Sequence, residues 1–378
     1  VSIDNNTFLG YQGSSSSNHV SVYGSGADAT GLKIKNNSFT DGGYYAIYLD
    51  SDNTSSSPTG LEISGNTITD TYGGIYAEYF DAPTIQGNTI KGSYMTNHGI
   101  YLAYCDVANI QGNTIKGSGT YSGAGISLNY CDGANVIEDN TIYAPDMTYG
   151  IYLNYCEATS DNEATIVNNL INAGDYGIYL YNNNKYYNIY YNSVKVLNNN
   201  ALYYYINPES IIIKNNIFYS AFSSSPALYV YNTTGFTGDY NDLYSEYTYP
   251  IYFNGNKTFA EYQASGQGEH SVELDPVYNT DSTLVPMRLL LDNLGTPIAE
   301  ITDDIYGNNR PETPDMGAVE FTVEGSPLSG IYMLGAGADA DYDSISTALN
   351  DLSIYGISGP ITFNIQAGTY DDPVVLGQ

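Results

Sequence analysis

Apolar residues along this chain fall in short alternating bursts, not in helical stripes. An Asn followed two residues later by an apolar residue recurs at Asn6, Asn37, Asn66, Asn88, Asn113, Asn140, Asn169, Asn192, Asn216 and Asn241. The steps between them are 31, 29, 22, 25, 27, 29, 23, 24 and 25 residues. A second burst lies between these positions: AIYL from Ala46, GIYA from Gly74, GIYL from Gly99, GISL from Gly125, and GIYL from Gly150 and Gly177. ALYY from Ala201, ALYV from Ala227 and PIYF from Pro250 continue it. Each repeat therefore holds at least two short strands separated by Gly, Ser, Asn and Asp turns. Repeats of this length without a helix predict an all-β solenoid, a parallel β-helix of about ten coils, in which each strand stacks about 4.8 Å from its equivalent in the next coil. A leucine-rich horseshoe is the rival, but its Leu-rich consensus is missing.

Stacked coils turn a residue type repeated at one position into a physical column. The Asn series is expected to form an internal ladder of side-chain amides. Cys105, Cys131 and Cys156 each lie six residues beyond the Gly of a GI(Y/S)L unit, so they should stack as buried free thiols. Directly after them come Asp106, Asp132 and Glu157, with Asp81 in the same place one coil earlier. Such carboxylates splay into water or share a cation, and calcium, the one cofactor expected, suits an oxygen-rich turn. Tyr48, Tyr76, Tyr101, Tyr152, Tyr179, Tyr203, Tyr229 and Tyr252 each sit between two inward-facing apolar residues, interrupted only by Ser127. They should point outward as an exposed aromatic stripe on one sheet. Two readings stand side by side: a surface that stacks on sugar rings or docks a protein, or Tyr–Tyr stacking that stiffens the sheet.

The N-T-I and G-I-Y-L units resemble the pectate-lyase-like family of right-handed parallel β-helix proteins over residues 1–258. DPVY from Asp275, GTPIA from Gly295, DIYGNNR from Asp304 and PDMGAVEF from Pro314 resemble the closing tail of secreted surface-protein modules of Bacteroidota-like bacteria, giving a tail over 259–324. From Gly330, GIYMLGAGADADYDSISTALNDLSIYGISGPITFNIQAGTY resembles the opening of a fresh β-helix module, so 325–378 is expected to supply a capping helix and a first strand. Asp343 or Ser344 can cap that helix, Ile345, Ala348, Leu349 and Leu352 line one face, and Gly356 sits where the helix should stop. The resemblance implies an extracellular or cell-surface protein. It leaves activity open, because such modules serve both adhesins and polysaccharide-active enzymes.

Charge narrows the partners. The chain has 378 residues, 42 Tyr, 39 Gly, no Trp, and 10 Lys+Arg against 41 Asp+Glu, for a net charge of −31. A polyanion of this kind is repelled by nucleic acid and anionic lipid, which leaves divalent cations, extracellular polysaccharide or another protein. No run of 18 apolar residues and no leader pattern is present, so membrane insertion is not expected. Val1 starts mid-pattern, as a piece of a longer precursor would, and copies of the module are expected to associate head-to-tail.

A lyase on this fold needs a cation and a basic side chain to take a proton, but Arg288 and Arg310 fall in the tail and Lys91 and Lys116 read as turn lysines. The GHG and RIK motifs that a resemblance to polygalacturonase would require are absent. His19, His98 and His270 share no coil position. No catalytic residue is therefore assigned. The function expected is a structural or adhesive module of an extracellular surface protein or fibre, with a polysaccharide lyase, hydrolase or glycan-binding module as the alternative.

Overall fold

The structure, a computed structural model, describes residues 1–10, 18–23, 29–52, 57–92, 97–117, 123–205 and 209–370. Among these the chain winds through three sheets, two of ten strands and one of eleven. One coil reads Asn109–Gln111 in the first sheet, Thr114–Gly117 in the second and Ala124–Asn129 in the third. Every neighbour is parallel and in register, except that Asn256–Lys257 folds back antiparallel on Ile251–Phe253 to end the third sheet. The chain is thus an all-β parallel β-helix.

The sequence pattern resolves only the second and third sheets. The first-sheet strands are mostly three or four residues long with a single apolar residue at the centre, too short for an alternating signal. That one residue is nevertheless an unbroken isoleucine column, Ile34, Ile63, Ile85, Ile110, Ile137, Ile166, Ile189 and Ile213, all fully buried. Burying each is worth about 1.5–3 kcal/mol, so this unrecognised sheet carries a full share of the core.

The corner between first and second sheets is only two residues long, and the residue before each ladder Asn takes a left-handed conformation, from Asn5 at φ 59° to Tyr240 at φ 54°. The ladder follows as expected. In each step the Oδ1 of one Asn accepts both the backbone N–H and the side-chain Nδ2 of the Asn one coil earlier, as Asn113 does from Asn88 at 3.0 Å each. The Nδ2 also donates to a core carbonyl, that of Ile85 for Asn113 at 2.8 Å. Amides that would be costly to bury are thereby satisfied.

Close packing also explains the Gly of the GIYL units. A Cβ built on Gly150 would lie 2.3 Å from Ile171 Cγ2 and 2.6 Å from the Gly177 carbonyl oxygen. No side chain fits there.

The tail does more than close an end. Thr258 caps helix α1 (Phe259–Gln263) in a capping box with Glu261, and Tyr262 is buried against Phe253. Later tail residues return along the coils and dock on the left-handed corner residues. Asn215 exchanges two hydrogen bonds with the Thr296 backbone at 2.8 and 2.9 Å, and Asn168 donates to the Asp303 carbonyl at 2.9 Å. Arg310 lies 3.7 Å over the Tyr191 ring, donates to Asn168 Oδ1 at 2.8 Å and pairs with Glu320. Both arginines of the chain lie in this tail, and Arg310 fastens it.

Beyond the tail, Leu328–Leu334 and Ile357–Ile365 pair in parallel with helix α2 (Ile345–Tyr355) between them. Ser344, not Asp343, is the N-cap, accepting the Thr347 N–H at 3.1 Å, and Gly356 ends the helix at φ 67°. The second strand begins at Ile357, four residues before the apolar Ile361–Ile365 run marks it in the sequence. Among the described residues no helix is long and apolar enough to cross a membrane.

Candidate functional site

The eight tyrosines of the expected stripe lie in one register column of the third sheet, running Tyr48, Tyr76, Tyr101, Ser127, Tyr152, Tyr179, Tyr203, Tyr229 and Tyr252. The flanking Ile and Leu point inward and are buried, so the column faces outward. Its presentation differs from a flat, exposed display of rings. Every one of these tyrosines is half-buried, and neighbouring rings stack nearly parallel, with centroids 4.4 Å apart for Tyr48–Tyr76, 4.5 Å for Tyr179–Tyr203 and 4.2 Å for Tyr229–Tyr252. Strands about 4.8 Å apart hold their side chains at the spacing aromatic rings prefer for contact, so the ring faces are used on one another. Edges and hydroxyls remain for the surface.

Several of those hydroxyls are held in the protonated form. Burial pushes the phenols of Tyr101, Tyr152, Tyr203 and Tyr229 up to about 12. The Tyr76 phenol is raised by burial and by its hydrogen bond to Glu78. The face thus presents neutral phenols on a strongly acidic chain. From Tyr149 onward it widens, because Tyr149 and Tyr176 pack edge-on against Tyr179 at 5.1 and 4.7 Å.

A second tyrosine row went unread in the sequence. Tyr79, Tyr104, Tyr130 and Tyr155 stack at 4.9, 5.0 and 4.9 Å along the corner that follows the third sheet. All four have φ between 49° and 61°. A left-handed conformation costs a residue with a side chain about 1–2 kcal/mol, which stacking offsets in part. The available signal was the Tyr that directly precedes Phe80, Cys105, Cys131 and Cys156.

The cysteines are buried and free, stacked so that the Cys105 N–H points at Cys131 Sγ, 3.4 Å away. Burial raises the Cys131 thiol, and its sulfur is turned to the Asn129 carbonyl oxygen at 3.4 Å, so the column is packing material.

In the acidic row the carboxylates of Asp106, Asp132 and Glu157 each serve the next coil. Asp106 Oδ1 accepts the Asp132 N–H at 2.8 Å, Asp132 Oδ1 accepts the Glu157 N–H at 2.9 Å, and Glu157 pairs with Lys185 at 3.1 Å. Asp81 occupies the same corner one coil earlier, where its own N–H donates to the Pro58 carbonyl. Partial burial and then the charges of Asp106 and Glu157 raise the Asp132 carboxyl. Among the described residues no three His, Cys, Asp or Glu side chains converge as a metal-binding group.

Lys91, Lys116, His98 and His270 do not converge on one site. Lys91 and Lys116 pair in register, exposed on the second sheet, with the whole first sheet between them and the acidic corner. Burial pulls His98 down to about 4, and its Nδ1 accepts the Ala124 N–H. His270 is held by Asp239 at 2.8 Å near the tail.

With this geometry in place, comparison with known proteins adds one finding. Residues 18–194 match the family model described as the right-handed β-helix region. No curated protein matches the chain.

Proposed function

We propose that this chain is a structural or adhesive module of an extracellular surface protein or fibre, and that the tyrosine face of the third sheet is its contact surface. The observation that carries the reading is the column from Tyr48 to Tyr252, one tyrosine per coil in register, broken by Ser127. A repeating array of neutral donors suits a repeating partner, such as an extended glycan or another sheet. Head-to-tail association of modules belongs to the same proposal. Its support is the apolar exposure of Ile331, Ile357 and Ile365, at 70, 64 and 54 %, on the helix–strand unit.

The alternative is a polysaccharide lyase or hydrolase in a surface groove. A lyase needs a base facing a cation-binding carboxylate group; Lys91 and Lys116 lie on another sheet from the acidic corner, and Lys185, which does reach it, is held in an ion pair with Glu157. The test is affinity electrophoresis through neutral and acidic polysaccharides, with product analysis of the same mixtures. Retention without product, weakened in a Tyr179→Ala/Tyr203→Ala variant, is expected. Turnover of any polymer, or retention indifferent to those substitutions, overturns the reading.

A further inference from the structure

We infer that the uncharged cavity at the C-terminal end of the tyrosine face takes a neutral saccharide unit. This rests on the contact-face reading above and names the ligand class for one part of that face. The cavity measures about 390 Å³, inside the range of about 300–1,000 Å³ typical of small-ligand sites. Tyr203, Tyr229 and Tyr252 line it from the sheet, Tyr176 and Tyr247 stand beside them, and Asn199 contributes an amide.

The regular stack is crossed and then ends at this cavity. Tyr176 stands at 75° to Tyr203, centroids 5.5 Å apart, so its plane runs across the parallel stack. Tyr252 is the last ring of the row, stacked on Tyr229 alone among the column tyrosines. Ring faces next to hydroxyls and amides match the two-sided chemistry of a sugar, with apolar C–H patches and a rim of hydroxyl groups. The amide of Asn256 reaches Tyr247 Oη only at 3.4 Å, a long bond that a ligand hydroxyl can replace.

Charge decides the class of sugar. Every side chain lining the cavity is Tyr, Asn, Ser or Pro, on a chain whose net charge is −31. A uronate, sulfate or phosphate would leave water without a cation to meet it and would enter a repulsive field. A divalent cation would find no carboxylate in the lining. A neutral hydroxyl-rich ring meets neither penalty.

The experiment is calorimetric titration of the full chain with neutral tetrasaccharides of β-1,4-glucan, α-1,4-glucan, xylan, mannan and galactan, with tetragalacturonate as the charged control. Tyr247→Ala and Asn199→Ala are tested alongside, with melting temperatures measured. Saturable binding of at least one neutral tetrasaccharide is expected, weakened at least about tenfold in both variants at unchanged melting temperature, with no binding of tetragalacturonate. The inference is wrong if no neutral tetrasaccharide binds, if both variants keep their affinity, or if tetragalacturonate binds as well as the neutral sugars. If the titrations fail in one of these ways while the parent chain is still retained by whole polysaccharide, the contact face stands and the cavity assignment falls.

Discussion

The backbone N–H of Asn241 donates to Ser271 Oγ at 3.0 Å, so the asparagine ladder of the coils ends on a serine supplied by the tail. The Val272 N–H then donates to the Asn241 carbonyl and the Leu243 N–H to the Val272 carbonyl, so two tail residues stand in for one more strand. The end of the ladder is thereby closed without a further coil.

Loss of that closure has a measurable size. Ser271→Ala should leave one buried N–H without a partner and cost about 1–3 kcal/mol. Asn113→Ala, in mid-ladder, removes the acceptor of two Asn88 donors and leaves the Ile85 carbonyl and Asn140 Oδ1 each short of one donor, so it should cost more. Denaturant midpoints at equal m-value check the order. Equal costs would mean that the ladder shares its load differently from what the geometry indicates.

Gly150→Ala should destabilise by about 1–3 kcal/mol or more, because its Cβ would overlap Ile171 and the Gly177 carbonyl. The same coil position holds Ala201 without conflict two coils later, where it is fully buried. Ala201→Gly should therefore cost only the loss of one buried methyl and some added chain freedom, about 1 kcal/mol. Thermal melts of the two variants separate a coil-specific clash from a general preference for glycine.

Asp315 sets a pH dependence. It is buried in the tail, and burial raises its carboxyl to about 7, with Glu320 and Asp292 adding in the same direction against the N–H donors of Phe321 and Asn293. The folded state therefore holds its proton at a pH where the unfolded state, near 3.8, has lost it. Its contribution is complete below pH 3.8 and is lost as pH rises through about 7. In Asp315→Asn the slope of stability against pH across that interval should flatten relative to the parent. An unchanged slope would mean that other buried acids, Asp242 and Glu320 among them, dominate it.

Calcium on Asp81, Asp106, Asp132 and Glu157 is a proposal with a simple check. A cation there must use the oxygens left over from the backbone contacts, and it gains from the charges of Asp106 and Glu157, which add to burial in raising Asp132. The expected outcome is a small rise in melting temperature in millimolar calcium over chelator at equal ionic strength, absent in Asp132→Asn. If the parent melts identically in both, the row serves only as backbone caps.

The repeat by itself determined that this chain is a solenoid, because period and alternation fix which residues face inward, and parallel stacking places like on like. Ladder, cysteine column and tyrosine column were legible for that reason: each depends only on register. The first sheet was not, since one isoleucine in a three-residue strand carries no period. Three things belonged to the tertiary structure alone. Whether outward tyrosines show their faces or spend them on each other depends on the strand spacing and on χ angles that no sequence pattern records. Where Arg310, Thr296 and Ser271 land depends on a tail that returns to coils 30 to 142 residues away, contacts that have no periodicity to announce them. The uncharged cavity forms where Tyr176 and Tyr247 stand beside the end of the column, because a pocket is a failure of regular stacking and a repeat predicts only what stacks.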